Sequence, residues 1–179
     1  WNTASWVSAV TTLKSENNDL SVYSSSWAMT ANLPSGANLL SAASFYVTSS
    51  GFDSADDGGN SEILGHPRSS TFTFDNVAPL STISSPLDNR YYSSLASFAG
   101  SSSDDVGVST IAVSVQNLSQ GAPNCYRPGN NDFAGTCPNW FAPSGAVGSW
   151  SYALGSEPWS HASQYVVKSS ATDLASNAQ

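Results

Sequence analysis

The chain of 179 residues carries five Lys plus Arg against thirteen Asp plus Glu, which gives a formal net charge of −8 and a pI near 4.2. So acidic a chain repels phosphate backbones, and the composition therefore argues against nucleic acid as a partner. The sequence contains no run of about 18 apolar residues, so we expect no membrane span.

Ser, Thr, Asn and Gly, rather than Lys and Glu, fill the polar positions of the sequence. These residues disfavour helices and suit strands and turns, and no segment shows a helical period of 3.6 residues. The sequence therefore predicts an all-β protein. Sparsely charged, hydroxyl-rich surfaces are common outside the cell, so we expect an extracellular or cell-surface location.

Alternating apolar and polar residues predict four strands in the first part of the chain, at 5–13, 26–33, 44–52 and 70–75. The stretch FDSADDGGN, residues 52–60, follows the third of these strands. Its Asp53, Asp56 and Asp57 resemble the carboxylates of a Ca²⁺-binding loop, although the full EF-hand spacing is missing.

The same alternation predicts five strands in the second part, at 80–86, 94–102, 109–118, 148–155 and 163–172. Successive side chains of a strand point to opposite faces of its sheet. Ile111, Val113 and Val115 are therefore expected on one face, with Thr110 and Ser114 on the other.

The two cysteines, Cys125 and Cys137, bracket the turn-rich segment CYRPGNNDFAGTC. Such a segment folds back easily, and a disulfide closing a loop of this length contributes about 3 kcal/mol in the chain-entropy model. The alternatives are two unpaired buried thiols or a metal pair, and no His or further Cys lies nearby to complete a metal site. We expect the disulfide.

Two stretches of the chain align with two others about 120 residues further on. Residues 24–33 resemble 147–156, and residues 44–60 resemble 163–177, with Trp27 matching Trp150 and Asp53 matching Asp173. The segment 80–118 has no counterpart before Trp1, and the second copy stops before an equivalent of strand 70–75. We therefore expect the C-terminal part of one repeat at 1–76 and a second repeat at 77–179.

The succession DNVAPLSTISSP, FAGSSSDDVGVSTIAVSV, SWSYAL and YVVKSSATDLASN resembles the bacterial immunoglobulin-like domains that are strung in tandem along large surface adhesins and other secreted proteins. The resemblance covers nearly all of 75–179 and the corresponding end of the fold in 24–78. The chain departs from the family at Ser176, where a turn usually has Gly, and in the long cysteine-containing loop at 119–147.

The resemblance implies tandem immunoglobulin-like β-sandwiches, the first incomplete at its N-terminal side and the second lacking its last strand. It also implies a core between the two sheets. The inward side chains expected for the second repeat are Ile83, Leu95, Phe98, Ile111, Val113, Trp150, Tyr152, Tyr165 and Val167.

In such a sandwich the turn after 94–102 and the turn after 163–172 lie at the end where the chain enters from the previous domain. Acidic residues from three segments are therefore expected to converge, and hard oxygen ligands from separate loops suit Ca²⁺, which would clamp the junction. The alternative, which we favour, is that these residues only cap turns. The candidate ligands are Asp75, Asp104, Asp105, Asp173 and Asn177.

Catalytic motifs are absent from the sequence. The three Glu, at 16, 62 and 157, have no acidic partner at a suggestive spacing, and His66 and His161 lie in separate predicted loops. We expect a protein that is not an enzyme and requires no cofactor.

The first functional hypothesis is a structural segment of an extracellular fibre or surface protein, with tandem repeats or a homopolymer as its partner. The missing strands imply either an excerpt of a longer chain or β-strands supplied by a neighbouring subunit. The second hypothesis is a carbohydrate-binding module that recognises surface glycans through Trp140, Phe141 and Trp159. Asn117 begins an N-glycosylation sequon.

Overall fold

The computed structural model describes residues 34–48 and 69–179, which belong to two compact units, Trp1–Asn76 and Val77–Gln179. The strands predicted at 5–13 and 26–33, and the acidic stretch 52–60, lie outside the described residues. The described ranges contain no helix that is long and apolar enough to cross a membrane.

The described part of the first unit is an antiparallel strand pair preceded by a short 3₁₀ helix, Gly36–Asn38. Strand β1 (Ser44–Thr48) pairs along its whole length with β2 (Ser69–Thr73). The ring centroids of Phe45 and Phe72, which lie opposite each other, are 5.5 Å apart. Cross-strand aromatic pairs of this kind stabilise two-stranded ribbons.

The second unit consists of two antiparallel sheets of four strands each. One sheet has the order β3-β4-β9-β8 and the other the order β10-β5-β6-β7. Both are antiparallel throughout, which confirms the all-β prediction for the described residues. The strands are β3 (Leu80–Ser85), β4 (Ser97–Ser103), β5 (Val108–Asn117), β6 (Cys125–Arg127), β7 (Asp132–Gly135), β8 (Ser144–Ala146), β9 (Ser149–Ala153) and β10 (Tyr165–Asp173).

The hydrophobic core of the second unit receives side chains from both sheets. Alternation along β5 buries Ile111, Val113 and Val115, as predicted, because a strand turns every second side chain inward. All nine of the predicted inward residues belong to this core or pack against it. The core also contains three buried residues that the sequence pattern did not single out, namely Tyr126, Phe133 and Ala171.

Trp150 is the largest predicted core residue, and Gly100 makes room for it. The indole is 2 % exposed, and its strand β9 pairs with β4 so that Gly100 and Trp150 lie opposite each other. A Cβ atom at position 100 would overlap the Trp150 ring and the carbonyl oxygen of Thr82. Only a residue without a side chain allows this close approach.

The segment 119–147, which the sequence presented as a loop, contributes strands β6, β7 and β8. The predicted disulfide between Cys125 and Cys137 is present, with the two Cα atoms 5.2 Å apart. Tyr126 lies next to it in β6 and packs on Phe133 of β7, with ring centroids 5.6 Å apart. The cysteine-containing segment therefore completes one side of the core rather than standing outside it.

Strand β10 lies at the edge of its sheet and pairs with β5 from Tyr165 to Asp173. Beyond it, the backbone turns back so that Ala178 bridges to Thr172, and the Gln179 amide donates to the carbonyl of Ala171. Between Tyr165 and Ser169 no described residue pairs with the outer edge of β10.

Candidate functional site

The turn between β4 and β5 is organised by Asp104. Its Oδ2 atom accepts hydrogen bonds from the backbone amides of Val106, at 2.9 Å, and Gly107, at 2.8 Å. The hydrogen bond from Gly107 is the main cause that lowers the pKa of the Asp104 carboxyl below its ordinary value. This is the turn-capping role that short polar side chains commonly play.

The turn after β10 is organised by Asp173, whose side chain is only 2 % exposed. Its Oδ1 atom accepts from the backbone amide of Asn177, and its Oδ2 atom accepts from the Asn177 side-chain amide, both at 2.8 Å. Ser176 has a positive φ of 74° within this turn, a conformation that glycine adopts more easily. Ser176, which stands where the resemblance described above would lead us to expect glycine, thus has a left-handed backbone conformation.

The two turns meet. The backbone amide of Leu174 donates to the carbonyl of Gly107 at 3.0 Å, and one carboxylate oxygen of Asp104 lies within 4.8 Å of one of Asp173. Turn hydrogen bonds occupy three of the four carboxylate oxygens. The fourth, Oδ1 of Asp104, is buried and has no hydrogen-bond partner among the described residues.

The other predicted acidic ligands are Asp75, Asp105, Asp53, Asp56 and Asp57. Asp105 is exposed, although it follows Asp104 directly. Asp75 belongs to the first unit, where its carboxylate accepts from the Ser41 hydroxyl at 3.2 Å. That it joins the Asp104–Asp173 pair stays a prediction. Asp53, Asp56 and Asp57 lie outside the described residues.

The spacing of the two carboxylates determines what the pair can hold. Two carboxylates this close repel each other, and the repulsion is relieved when a proton or a cation lies between them. Oδ1 of Asp104 is the oxygen that the turns leave available for a cation. Oxygen ligands at a chain turn suit Ca²⁺, which takes 6–8 of them.

Of the three aromatic residues predicted to bind sugars, two are largely committed to packing. Phe141 lies against Tyr152, with centroids 4.7 Å apart, and Trp159 lies 4.8 Å from Tyr165. The Trp159 indole also donates to the carbonyl of Leu95 at 2.8 Å. Trp140, in contrast, is 43 % exposed.

Trp140 lines a groove that sequence reasoning missed. The groove lies on the outer face of the sheet, beside the disulfide, and Lys168 and Gln116 also line it. Alternation places Gln116 on the face opposite the core residues of β5, but its approach to Lys168 and Trp140 depends on the β5–β10 register and on the disulfide. No local sequence signal encodes that approach.

Asn117, the sequon residue, is 5 % exposed and lies at the end of β5. Its Oδ1 atom accepts from the amide of Ser119 at 2.9 Å, and its carbonyl accepts from the Asn124 side chain at 2.9 Å. Attachment of a glycan would require the Asn117 side chain to leave this buried, hydrogen-bonded position. Glycosylation stays a prediction.

No protein-family model, curated protein or solved structure matches this chain. The functional proposals therefore rest on the two sheets and on the side chains described above.

Proposed function

We propose that Val77–Gln179 is an immunoglobulin-like sandwich and that the chain is a structural, non-enzymatic segment of an extracellular fibre or cell-surface protein built from tandem domains. The strand order carries this proposal. Immunoglobulin constant-type domains pair strands A, B, E and D in one sheet and C, F and G in the other. In chain order, β3-β4-β9-β8 corresponds to A-B-E-D, and the β10-β5 pair corresponds to F-C.

The proposed partner is a further repeat or a second copy of the chain, joined by β-strand pairing. The register of β10 turns the backbone amides and carbonyls of Tyr165, Val167 and Ser169 away from β5. No described residue pairs with them. Unpaired edge groups of this kind are templates for an additional strand.

The proposed location outside the cell is supported by the chemistry of the chain. Disulfides persist in oxidising compartments, and Cys125 and Cys137 are bonded. The protein has only five Lys and Arg in 179 residues, so its polar surface depends on hydroxyl, amide and carboxylate groups.

Hydrogen exchange measured at low and high protein concentration tests the strand-pairing proposal. We expect the amides of Val167 and Ser169 to gain protection as concentration rises, in parallel with association seen by sedimentation velocity. The amides of Lys168 and Ser170 face β5 and serve as internal controls, because they should be protected at every concentration. A monomer at all concentrations, with Val167 and Ser169 already protected, would contradict the proposal.

We propose Ca²⁺ as a ligand of the Asp104–Asp173 pair, since it would engage the buried Oδ1 atom and relieve the repulsion. The test is the melting temperature with and without CaCl₂. We expect Ca²⁺ to raise the melting temperature of the wild type and of Asp105→Asn, but not that of Asp104→Asn. An unchanged wild-type melting temperature would leave turn capping as the whole role of these residues.

A further inference from the structure

The groove on the outer face of the β10-β5-β6-β7 sheet has a volume of about 180 Å³ and is lined by Ser114, Gln116, Cys125, Cys137, Pro138, Trp140 and Lys168. It is smaller than the roughly 300–1,000 Å³ of pockets that hold drug-sized ligands. A ligand that fits it is therefore a single ring or a comparably small group.

The sheet register brings the polar groups of the groove together. Lys168 on β10 lies directly opposite Ser114 on β5, and Gln116 lies opposite Cys125. Ser114 is 3 % exposed and lies on the side of the strand away from the core. Lys168, Gln116 and Ser114 therefore line the same groove, and because the Gln116 side-chain nitrogen donates to Asn124 Oδ1 at 3.3 Å, the Gln116 amide oxygen is the group left to accept from a ligand.

The groove carries a positive charge. Its lining contains Lys168 and no carboxylate. Within the described residues, Lys168 has no ion pair, whereas Arg127 pairs with Asp132 at 2.5 Å. The Lys168 ammonium is therefore available to an anionic group of a ligand, for which its three N–H donors are suited.

Trp140 is held in place by both of its neighbours. The Asn139 side chain donates to the carbonyl of Tyr126 at 2.7 Å. Phe141 exchanges two backbone hydrogen bonds with Val113, at 2.8 and 2.9 Å, and its ring packs on Tyr152. The indole of Trp140 thus stands at the groove on a fixed backbone, which lowers the entropy cost of binding.

We propose that this groove binds one sugar ring that carries a carboxylate, such as a uronic acid. The ring would stack on the exposed face of Trp140, the carboxylate would pair with Lys168, and ring hydroxyls would donate to the Gln116 amide oxygen. Small-molecule sites usually combine an aromatic wall with a small number of polar groups. Sugar binding in this groove does not depend on the proposed structural function.

Titration of the ¹⁵N-labelled protein with glucuronate, followed by NMR, tests the site. The indole N–H signal of Trp140 is assigned by its absence in Trp140→Phe. We expect this signal and the amides of Gln116 and Lys168 to shift saturably with glucuronate, and to shift less with glucose. Tyr91→Ala, which removes a fully exposed aromatic side chain from another loop, is the matched control and should titrate as the wild type.

The variants separate the two contacts. We expect Lys168→Met to weaken glucuronate binding about tenfold, because the variant loses the charge-assisted hydrogen bond to the carboxylate, while Lys168→Arg retains most of it. Trp140→Ala should abolish binding of both sugars while keeping the dispersed spectrum of a folded protein. The proposal is overturned by an absence of saturable shifts in the wild type or by equal binding of glucuronate and glucose. Chemical-shift changes that are larger with AMP than with glucuronate would also overturn it.

Discussion

Replacement of Gly100 by alanine should lower the free energy of unfolding of the second unit by about 3 kcal/mol. The added Cβ atom would overlap the carbonyl oxygen of Thr82 and would lie 2.5 Å from Cε2 of Trp150. Non-bonded carbon atoms pack at about 3.5–4.0 Å, so both the ring and the backbone of β3 would have to retreat, the ring by more than about 1 Å. Neither has space to do so, since Trp150 is 2 % exposed and Thr82 pairs with β4.

The magnitude follows from these constraints. Overpacking of a core typically costs about 1–3 kcal/mol, and we expect the upper end because both neighbours are fixed. For a domain of this size, a loss of 3 kcal/mol corresponds to a melting temperature lower by about 12–24 °C. Urea unfolding of the whole chain, read by near-ultraviolet circular dichroism, measures the difference.

Two further variants make the prediction specific. Gly148→Ala is the matched control, because its Cβ would meet only the carbonyl oxygen of Ser102, at 3.7 Å, and we expect no loss of stability. Trp150→Phe combined with Gly100→Ala should lose less than the sum of the two single variants, because the smaller ring relieves the overlap. A Gly100→Ala variant within about 0.5 kcal/mol of the wild type would refute this account of the core.

Three more predictions concern the turns and the disulfide. Changing Cys125 and Cys137 to Ser opens a loop with a sequence separation of 12 and should lower the free energy of unfolding by about 3 kcal/mol, measured with urea. Ser176→Gly should raise it by up to about 1 kcal/mol, because φ is 74° there, whereas Ser176→Val should lower it. The amides of Gly107 and Val106 lower the pKa of Asp104. The stabilisation of the folded state by the ionised Asp104 carboxylate is therefore complete above about pH 4 and is lost as pH falls through the lowered pKa. Asp104→Asn should remove this part of the acid dependence in a melting-temperature titration, and an identical profile would contradict it.

Much of the second unit could be predicted from periodicity alone. Strands β3, β4, β5, β9 and β10 each fall within about three residues of a predicted segment, because each alternates long enough to be read. Trp150 was expected in the core, and it is buried there. The inward-facing residues of these strands follow the alternation of apolar and polar residues, which can be read directly from the sequence.

The parts that sequence reasoning missed depend on contacts between distant residues. Strands β6, β7 and β8 have only three or four residues, too few to show a period, and they are surrounded by Pro, Gly and Asn. Tyr126 and Phe133 therefore fall within the segment 119–147 that was predicted as a loop, although both are buried. The groove was missed for the same reason, since Lys168 and Trp140 meet only through pairing and the disulfide.

The pairing of β5 with β10 has a consequence for how the chain folds. Its paired residues are separated by 48 positions, for Asn117 and Tyr165, up to 65 positions, for Val108 and Asp173. Contacts so distant along the chain form slowly, because the entropy cost of closing a large loop comes before the contacts can stabilise it. During synthesis, the backbone edge of β5 that pairs with β10 would therefore stay unpaired until more than 50 further residues had been made.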